Sequence, residues 1–367
     1  LSLPRETLPR LTAEEAGRYL RGSAERIGLE FVEFKGVAPI FLLLPRGEAP
    51  PSAVLFQTWH AEAAPVEPAA IEGAERLALG AAVAGVETAM AARVAVVVAP
   101  AASAGSRGLA ELLREHRGRL EAGAAYWIRV APPAASGTAR RNVFLGGRGR
   151  VVIALRGGEG NPYRARDAVV EALREEAYGP RPLDFELIRK LASNPGALGL
   201  IGQGEGAAST GGAVSNEERL RRALFDPRGE IVIPAVPHPD RPRAWLTFET
   251  AEAMEAESIA NRVNALSGGG QADIVENSPW DRANIHHPAV HALIELSREK
   301  GGGAEIWPSS PWPTPSGVFS RALGVGLAEW GIPLPSGAQV RFPKPEEFGS
   351  MALEVAELLR KATSEGA

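Results

Sequence analysis

The run Arg93-Val-Ala-Val-Val-Val98 constrains the fold more than any other stretch, because five apolar residues in unbroken succession need cover on both faces. That is the pattern of a strand inside a parallel sheet. A long Ala-rich helix, about Ile71 to Ala92, feeds into it. Beyond it, Gly108 to Leu120 reads as an amphipathic helix with Leu109, Leu112, Leu113 and Leu120 on one face. Upstream, Thr12-Ala-Glu-Glu15 has the spacing of a capping box and starts a helix that runs to about Gly28. Leu29 to Leu44 reads as two strands around the turn at Lys35-Gly36, Ser52 to Trp59 as a third, and Tyr126 to Ala131 as another. Helices alternating with apolar strands predict an α/β domain with helices covering a mixed sheet.

At 367 residues the chain is long enough for two domains. The texture changes at Gly146-Gly-Arg-Gly149. From there the sequence predicts a strand (Val151–Leu155), helices (about Arg164–Tyr178 and Asp184–Ala192) and a small-residue loop, Gly196 to Gly212. Helix Asn216–Leu224, strands Glu230–Val236 and Ala244–Glu249, helix Ala251–Leu266 and strand Ala272–Glu276 follow. The tail returns to the first texture: helix Pro288–Lys300, strand Ala304–Trp307, a Pro/Ser/Trp loop through Pro315, and a closing helix from Pro345 to Lys361. An α+β module, 148–281, inserted into an α/β domain made of 1–147 and 282–367, accounts for this order better than two domains in series.

Composition removes several function classes. The balance of 40 Lys+Arg against 44 Asp+Glu gives a net charge of −4, without the basic excess that displaces counterions from nucleic acid. No apolar run reaches the roughly 18–20 residues that span a bilayer, so no membrane partner is expected. Zero Cys excludes disulfides, thiolate zinc sites and a cysteine nucleophile. It fits a cytoplasmic protein or one exported after loss of a leader.

Phe41-Leu-Leu-Leu44, followed by Ser52-Ala-Val-Leu-Phe-Gln-Thr-Trp-His60-Ala-Glu62-Ala-Ala-Pro65, resembles the M20 family of metallopeptidases and amidohydrolases, in which an apolar strand ends in His-x-Asp-x-x-Pro. The likeness continues through the strand and helix frame of Val96–Leu113, the Arg-Gly at Arg148-Gly149 that introduces an inserted lid, and Gly317–Val325 with Trp330-Gly-Ile-Pro333. It implies a zinc-peptidase-like α/β domain carrying a smaller α+β lid through which chains commonly dimerise. It also implies two zinc ions, a bridging carboxylate, and a Glu base acting on metal-bound water. Such a centre needs three or four N/O ligands per ion in fixed geometry.

Residue by residue, the ligands implied by the resemblance are largely missing. His60 matches the first metal-binding His, and Glu62 replaces the Asp that orients it. The bridging Asp falls at about Ala82, the Glu-Glu pair at Ala102 and Ser103, and the next acidic ligand at about Val130. The last His falls near Ala338–Gln339, and no His occurs from Ala292 onward. A shift of register does not restore the pair, since Val94 to Gly105 contains no acid. One His and one Glu cannot hold two zinc ions, and without them water keeps a pKa of about 15.7 rather than about 7. The expectation is therefore a chain with no metal cofactor and no intact catalytic residues, His60 and Glu62 being vestigial.

Other candidates are weaker. His287-Pro-Ala-Val-His291 has the spacing of a helical metal pair, but Pro288 favours the first helical position and would put His287 before the helix. His116 reads as solvated. Gly202-Gln-Gly204-Glu-Gly-Ala207 matches G-x-G-x-x-A without the strand–turn–helix setting of a dinucleotide site. No P-loop and no G-x-S-x-G elbow occurs. Trp307 and Trp312, among Pro308, Pro311, Pro313 and Pro315, could form a contact surface, and Arg148 could grip a carboxylate. Three functions follow: a non-catalytic M20-like protein in binding, scaffolding or assembly; a divergent hydrolase of N-acyl amino acids or peptides using His60, Glu62 and His291; or a self-assembling subunit built on lid contacts. A homo-oligomer through the lid, or a separate protein partner, is expected in the first and third.

Overall fold

The structure is a computed structural model that describes residues 12–35, 39–47, 49–59, 69–89, 93–100, 107–131, 140–177, 179–201, 214–234, 242–252, 254–333 and 345–365. The first stretch runs α1 (Ala13–Ile27), β1 (Glu30–Phe34), β2 (Ile40–Leu44), β3 (Ala53–Trp59), α2 (Ala69–Ala89), β4 (Val94–Pro100), α3 (Arg107–Glu115), α4 (Arg117–Leu120), β5 (Ala124–Ala131) and β6 (Arg141–Phe144). Next come β7 (Gly149–Arg156), α5 (Pro162–Glu176), α6 (Pro182–Ala192), α7 (Pro195–Leu200), α8 (Asn216–Phe225), β8 (Arg228–Val232), β9 (Ala244–Thr250), α9 (Ala256–Leu266) and β10 (Gln271–Ser278). The chain closes with α10 (Pro288–Glu299), β11 (Ala304–Trp307), α11 (Ser316–Leu323), β12 (Leu327–Pro333) and α12 (Pro345–Glu365).

Two sheets organise these elements. The larger is mixed, in the order β1-β2-β4-β3-β5-β12-β6-β11. Its centre is parallel, β4 with β3, β3 with β5 and β5 with β12, while β1, β2 and β6 join antiparallel. The smaller, β10-β7-β9-β8, is antiparallel throughout and draws all its strands from 149–278. The apolar runs behave as their composition requires: every residue of β2, β3 and β4 is buried. One face of the large sheet packs on α1, α2, α10 and α12, and the other on α3 and α11. The small sheet buries one face on α5 and α9. A further apolar cluster joins Phe144 and Trp307, at the ends of β6 and β11 in the large sheet, to Ile188, Leu191, Leu220 and Leu224 of α6 and α8. The Arg282–Asp184 ion pair at 2.6 Å reinforces that junction.

Local signals explain the ends of several elements. Thr12 Oγ1 accepts from the Glu15 N–H and Glu15 Oε2 accepts from the Thr12 N–H, so α1 opens on the expected capping box; it closes at Gly28, whose φ of 75° favours glycine. Close helix packing fixes Gly85 in α2, where a Cβ would lie 2.6 Å from Val355 of α12. Some expectations need correction. The helix predicted over Gly108–Leu120 breaks at His116 into α3 and α4, and that over Ala251–Leu266 starts only at Ala256. Gly196 to Gly212 is not all loop: Pro195–Leu200 forms α7, because Pro is favoured in a first helical turn. The remainder, 202–213, with the Gly202–Ala207 motif, lies outside the described residues. Strand β6, helix α11 and strand β12 had not been assigned from sequence. Among the described residues no helix is long and apolar enough to cross a membrane.

Candidate functional site

In an open sheet with parallel strands, ligands bind in the crevice beyond the carboxyl ends of the strands where the connections reverse direction. Here β3 connects through α2 to β4 on one side, while β5 lies on the other side of β3, so the reversal falls between β3 and β5. The residues that follow these strand ends, 60–68, 101–106, 132–139 and 334–344, lie outside the described residues. His60, Glu62, Ala102, Ser103 and Ala338–Gln339 fall among them. Val130 is in β5, paired with Ile332 of β12. Ala82 is in α2 with no exposed surface, inside the apolar core under the large sheet.

Among the described residues, Ala82 offers a dinuclear zinc centre no ligand. A buried alanine methyl at the place implied for the bridging carboxylate offers no lone pair, and among the described residues no three His, Asp or Glu side chains group closely enough to hold a metal ion. His287 is the N-cap of α10, its Nδ1 accepting from the Ala289 N–H at 3.2 Å, so Pro288 does set it ahead of the helix. His291 faces solvent, with its ring stacked 6.4 Å from that of His286.

The structure gathers a different set of side chains at the cleft end of the large sheet. Glu329 of β12 lies between Trp127 of β5 and Phe144 of β6 in register, so aromatic residues flank it on both sides. It is 2% exposed. Its Oε1 accepts from the indole N–H of Trp312 at 3.0 Å and lies 3.4 Å from Nε of Arg129. Its Oε2 is buried with no hydrogen-bond partner among the described residues. Burial pushes the Glu329 carboxyl from 4.5 up to about 7, against Arg129 and the Trp312 N–H, which both favour the charged form. The Arg129 guanidinium lies over two indole rings, 4.7 Å from the centroid of Trp127 and 4.3 Å from that of Trp312. Trp127 is in turn fixed edge-on against Phe56, and Trp312 leans on Phe144. Neither Arg129 nor Glu329 was singled out in the sequence, although each is a charge inside an otherwise apolar strand.

Arg148 needs a correction. It is fully buried, and its guanidinium serves the chain's own carbonyls. Nη1 donates to the carbonyls of Ala223 and Leu224 at 3.3 and 3.1 Å; Nη2 donates to those of Asp226 and, at 3.2 Å, Glu249. The first three of these carbonyls lie at the C-terminus of α8, where the last turn leaves acceptors unpaired and a cation is favoured, and the fourth is in β9. Arg148 is therefore a tie between the start of β7, α8 and β9, and no ligand grip. Trp307 is corrected too: it is wholly buried against Phe144, with its N–H on Asn142 Oδ1 at 3.0 Å, and offers no contact surface. Trp312 is half-buried, and its N–H is already engaged. On the small sheet, burial also pushes up the carboxyls of Glu249 and Glu276, which Arg150 partly offsets.

No family model and no curated protein matches this sequence. Solved structures do resemble the fold. An M20 family metallo-carboxypeptidase from Sulfolobus solfataricus superposes with a TM-score of 0.69 at 14% identity, over 95% of this chain and 94% of that one. Human carnosine dipeptidase 1 gives 0.63 at 12%, over 95% and 92%. A di-peptidase from Saccharomyces cerevisiae gives 0.60 at 12%, over 95% and 90%. The chain thus has a mixed α/β, M20 peptidase-like fold, as the motif resemblance implied; identities this low carry the fold alone.

Proposed function

We propose that this chain is a non-catalytic protein on the M20 peptidase-like fold, acting by binding, scaffolding or assembly. The observation that carries the reading is the absence of donor atoms where the fold's metal chemistry would need them. Ala82 is a buried methyl, and Ala102, Ser103 and Val130 stand at the other implied ligand positions. Small apolar groups are also what a metal-free site favours, because unpaired buried carboxylates repel one another and are costly to desolvate. In this reading 148–281 serves as a lid-like module, and its sheet is a place for chains to pair as homo-oligomers. A separate protein partner is a further outcome of the same role.

The test is metal analysis of the purified full chain together with assays on N-acyl amino acids and dipeptides, before and after zinc is added. Substoichiometric metal and no turnover are expected, and mass measurement in solution should find an oligomer. Two bound divalent ions per chain, or turnover abolished by His60→Ala, would overturn the reading. That second outcome would favour a divergent hydrolase built on His60 and Glu62, a reading supported by the peptidases that share the fold.

A further inference from the structure

We propose that Arg129 anchors a binding site for a small planar organic carboxylate at the cleft end of β5, beside the half-buried Trp312. The inference deepens the binding role just proposed and rests on it for its biological sense.

Three buried or half-buried arginines in this chain allow a comparison. Arg148 points both terminal nitrogens at backbone carbonyls. Arg141 makes a two-pronged pair with Glu354 through Nε and Nη2, at 2.8 and 2.7 Å, and sends Nη1 to the Gly301 carbonyl at 3.1 Å. In both cases the fork is satisfied within the fold. Arg129 differs. Its one ion-pair partner among the described residues is Glu329, with Nε 3.4 Å from Oε1, and there neither Nη1 nor Nη2 has a hydrogen-bond partner. The side chain keeps 23% of its surface exposed, so solvent reaches it.

The edge is also held still. Two indole rings pack against the guanidinium, and cation–π attraction favours that position. A fork that is already immobilised gives up little freedom when a ligand docks, which is the advantage of arginine over lysine at such sites. Its outer nitrogens match the two oxygens of a carboxylate. Charge selects the same class. The Glu329 carboxyl lies 3.4 Å from the cation, and once it ionises, above about pH 7, it opposes a dianion such as phosphate more than a monoanion. The position agrees with the sheet: Arg129 comes two residues before β5 ends at Ala131, beside the crevice where the connections reverse. The half-buried Trp312 offers an aromatic surface beside the fork, and benzoate is the simplest monocarboxylate probe with a flat, apolar body.

The experiment titrates the full chain with sodium benzoate at constant ionic strength, followed by calorimetry and tryptophan fluorescence, with inorganic phosphate in parallel. Saturable binding at one site with a change in indole emission is expected, and phosphate should bind more weakly. Arg129→Gln should weaken benzoate by about ten- to a hundredfold, the loss that follows from removing a charged hydrogen-bond pair. Arg129→Lys, which keeps the charge and loses the fork, should also bind more weakly, and it decides the matter if the Gln variant does not fold. Trp312→Phe, which keeps an aromatic face beside Arg129 but loses the indole N–H on Glu329, should weaken binding and lose much of the emission change. No saturation at millimolar benzoate, undiminished binding in the folded Arg129 variants, or phosphate binding as tightly as benzoate would each overturn the proposal. Failure here leaves the non-catalytic reading intact, since that is decided by turnover. Hydrolysis of an N-benzoyl amino acid would overturn that reading and leave the Arg129 site standing.

Discussion

Replacing Glu329 by glutamine should stabilise the folded chain at neutral and alkaline pH and leave it unaffected in acid, apart from a constant offset. The reasoning is proton linkage. An unfolded glutamate titrates near 4.5, and burial between Trp127 and Phe144 pushes Glu329 up to about 7. Below pH 4.5 both states hold the proton, so the wild type carries no penalty. Between 4.5 and about 7 the unfolded chain has released a proton that the folded chain retains, and stability falls as pH rises. Above about 7 the full penalty applies, about 3 kcal/mol at about 1.4 kcal/mol per tenfold change in proton affinity. Glutamine keeps an oxygen for the Trp312 N–H and cannot ionise. Its amide also points donors toward the place of the unpartnered Oε2, an offset that does not depend on pH. Urea unfolding of both proteins across this range gives the difference in stability at each pH, in which titration of Glu249, Glu276 and Glu305 largely cancels. The variant's advantage should grow through the window and level off above it. A difference that stays flat from acid to alkali, or that shrinks as pH rises, would refute the assignment of Glu329 as a buried, proton-holding acid.

Further outcomes follow from the packing. Arg148→Met should cost about 3–5 kcal/mol, because it removes the strongest of the cations facing the Glu249 carboxylate and strips a donor from four carbonyls; a loss under about 1 kcal/mol in urea unfolding would show that water replaces the guanidinium. Gly85→Ala should destabilise by about 1–3 kcal/mol despite alanine's better helix propensity, since its Cβ would lie 2.6 Å from Val355 and 3.0 Å from the Ala352 carbonyl. Gly349→Ala, with nothing within 4 Å of its Cβ, should move thermal stability the opposite way, by up to about 1 kcal/mol. Equal effects at the two glycines would mean that α2 and α12 are not packed this closely.

What could be read from the sequence tracks how local each signal is. The apolar runs of β2, β3 and β4 announce burial on both faces by themselves, and Thr12 with Glu15 or Pro288 marks a helix start within four residues. β12 gives no such signal, because Glu329, Gly331 and Pro333 interrupt it; it is a strand because β5 and β6 flank it and supply its pairing. β6 opens on Arg141, a residue that suggests solvent until Glu354, far along the chain on α12, pairs with it. The cluster around Arg129 was illegible for the same reason. Its acid comes from β12 and its second indole from the loop after β11, so only the sheet register makes one site of them. The motif resemblance reached the fold because it compared the order of patches along the chain.

The buried acid and the open arginine are two halves of one trade. A charged pair set among aromatic side chains in the middle of a sheet contributes little net stability, and apolar residues of similar size would often do as well or better. Arg141 with Glu354, and Arg148 with the end of α8, escape this objection because they hold distant segments together. Arg129 and Glu329 sit on neighbouring, already paired strands, and beyond that pairing they hold only Trp312 of the loop after β11. A charged pair that adds this little, in a position that weakens the fold as pH rises toward neutrality, is suited to the ligand role proposed for Arg129. Stability and ligand affinity should therefore separate at this pair: Glu329→Gln gains the first, and Arg129→Gln loses the second.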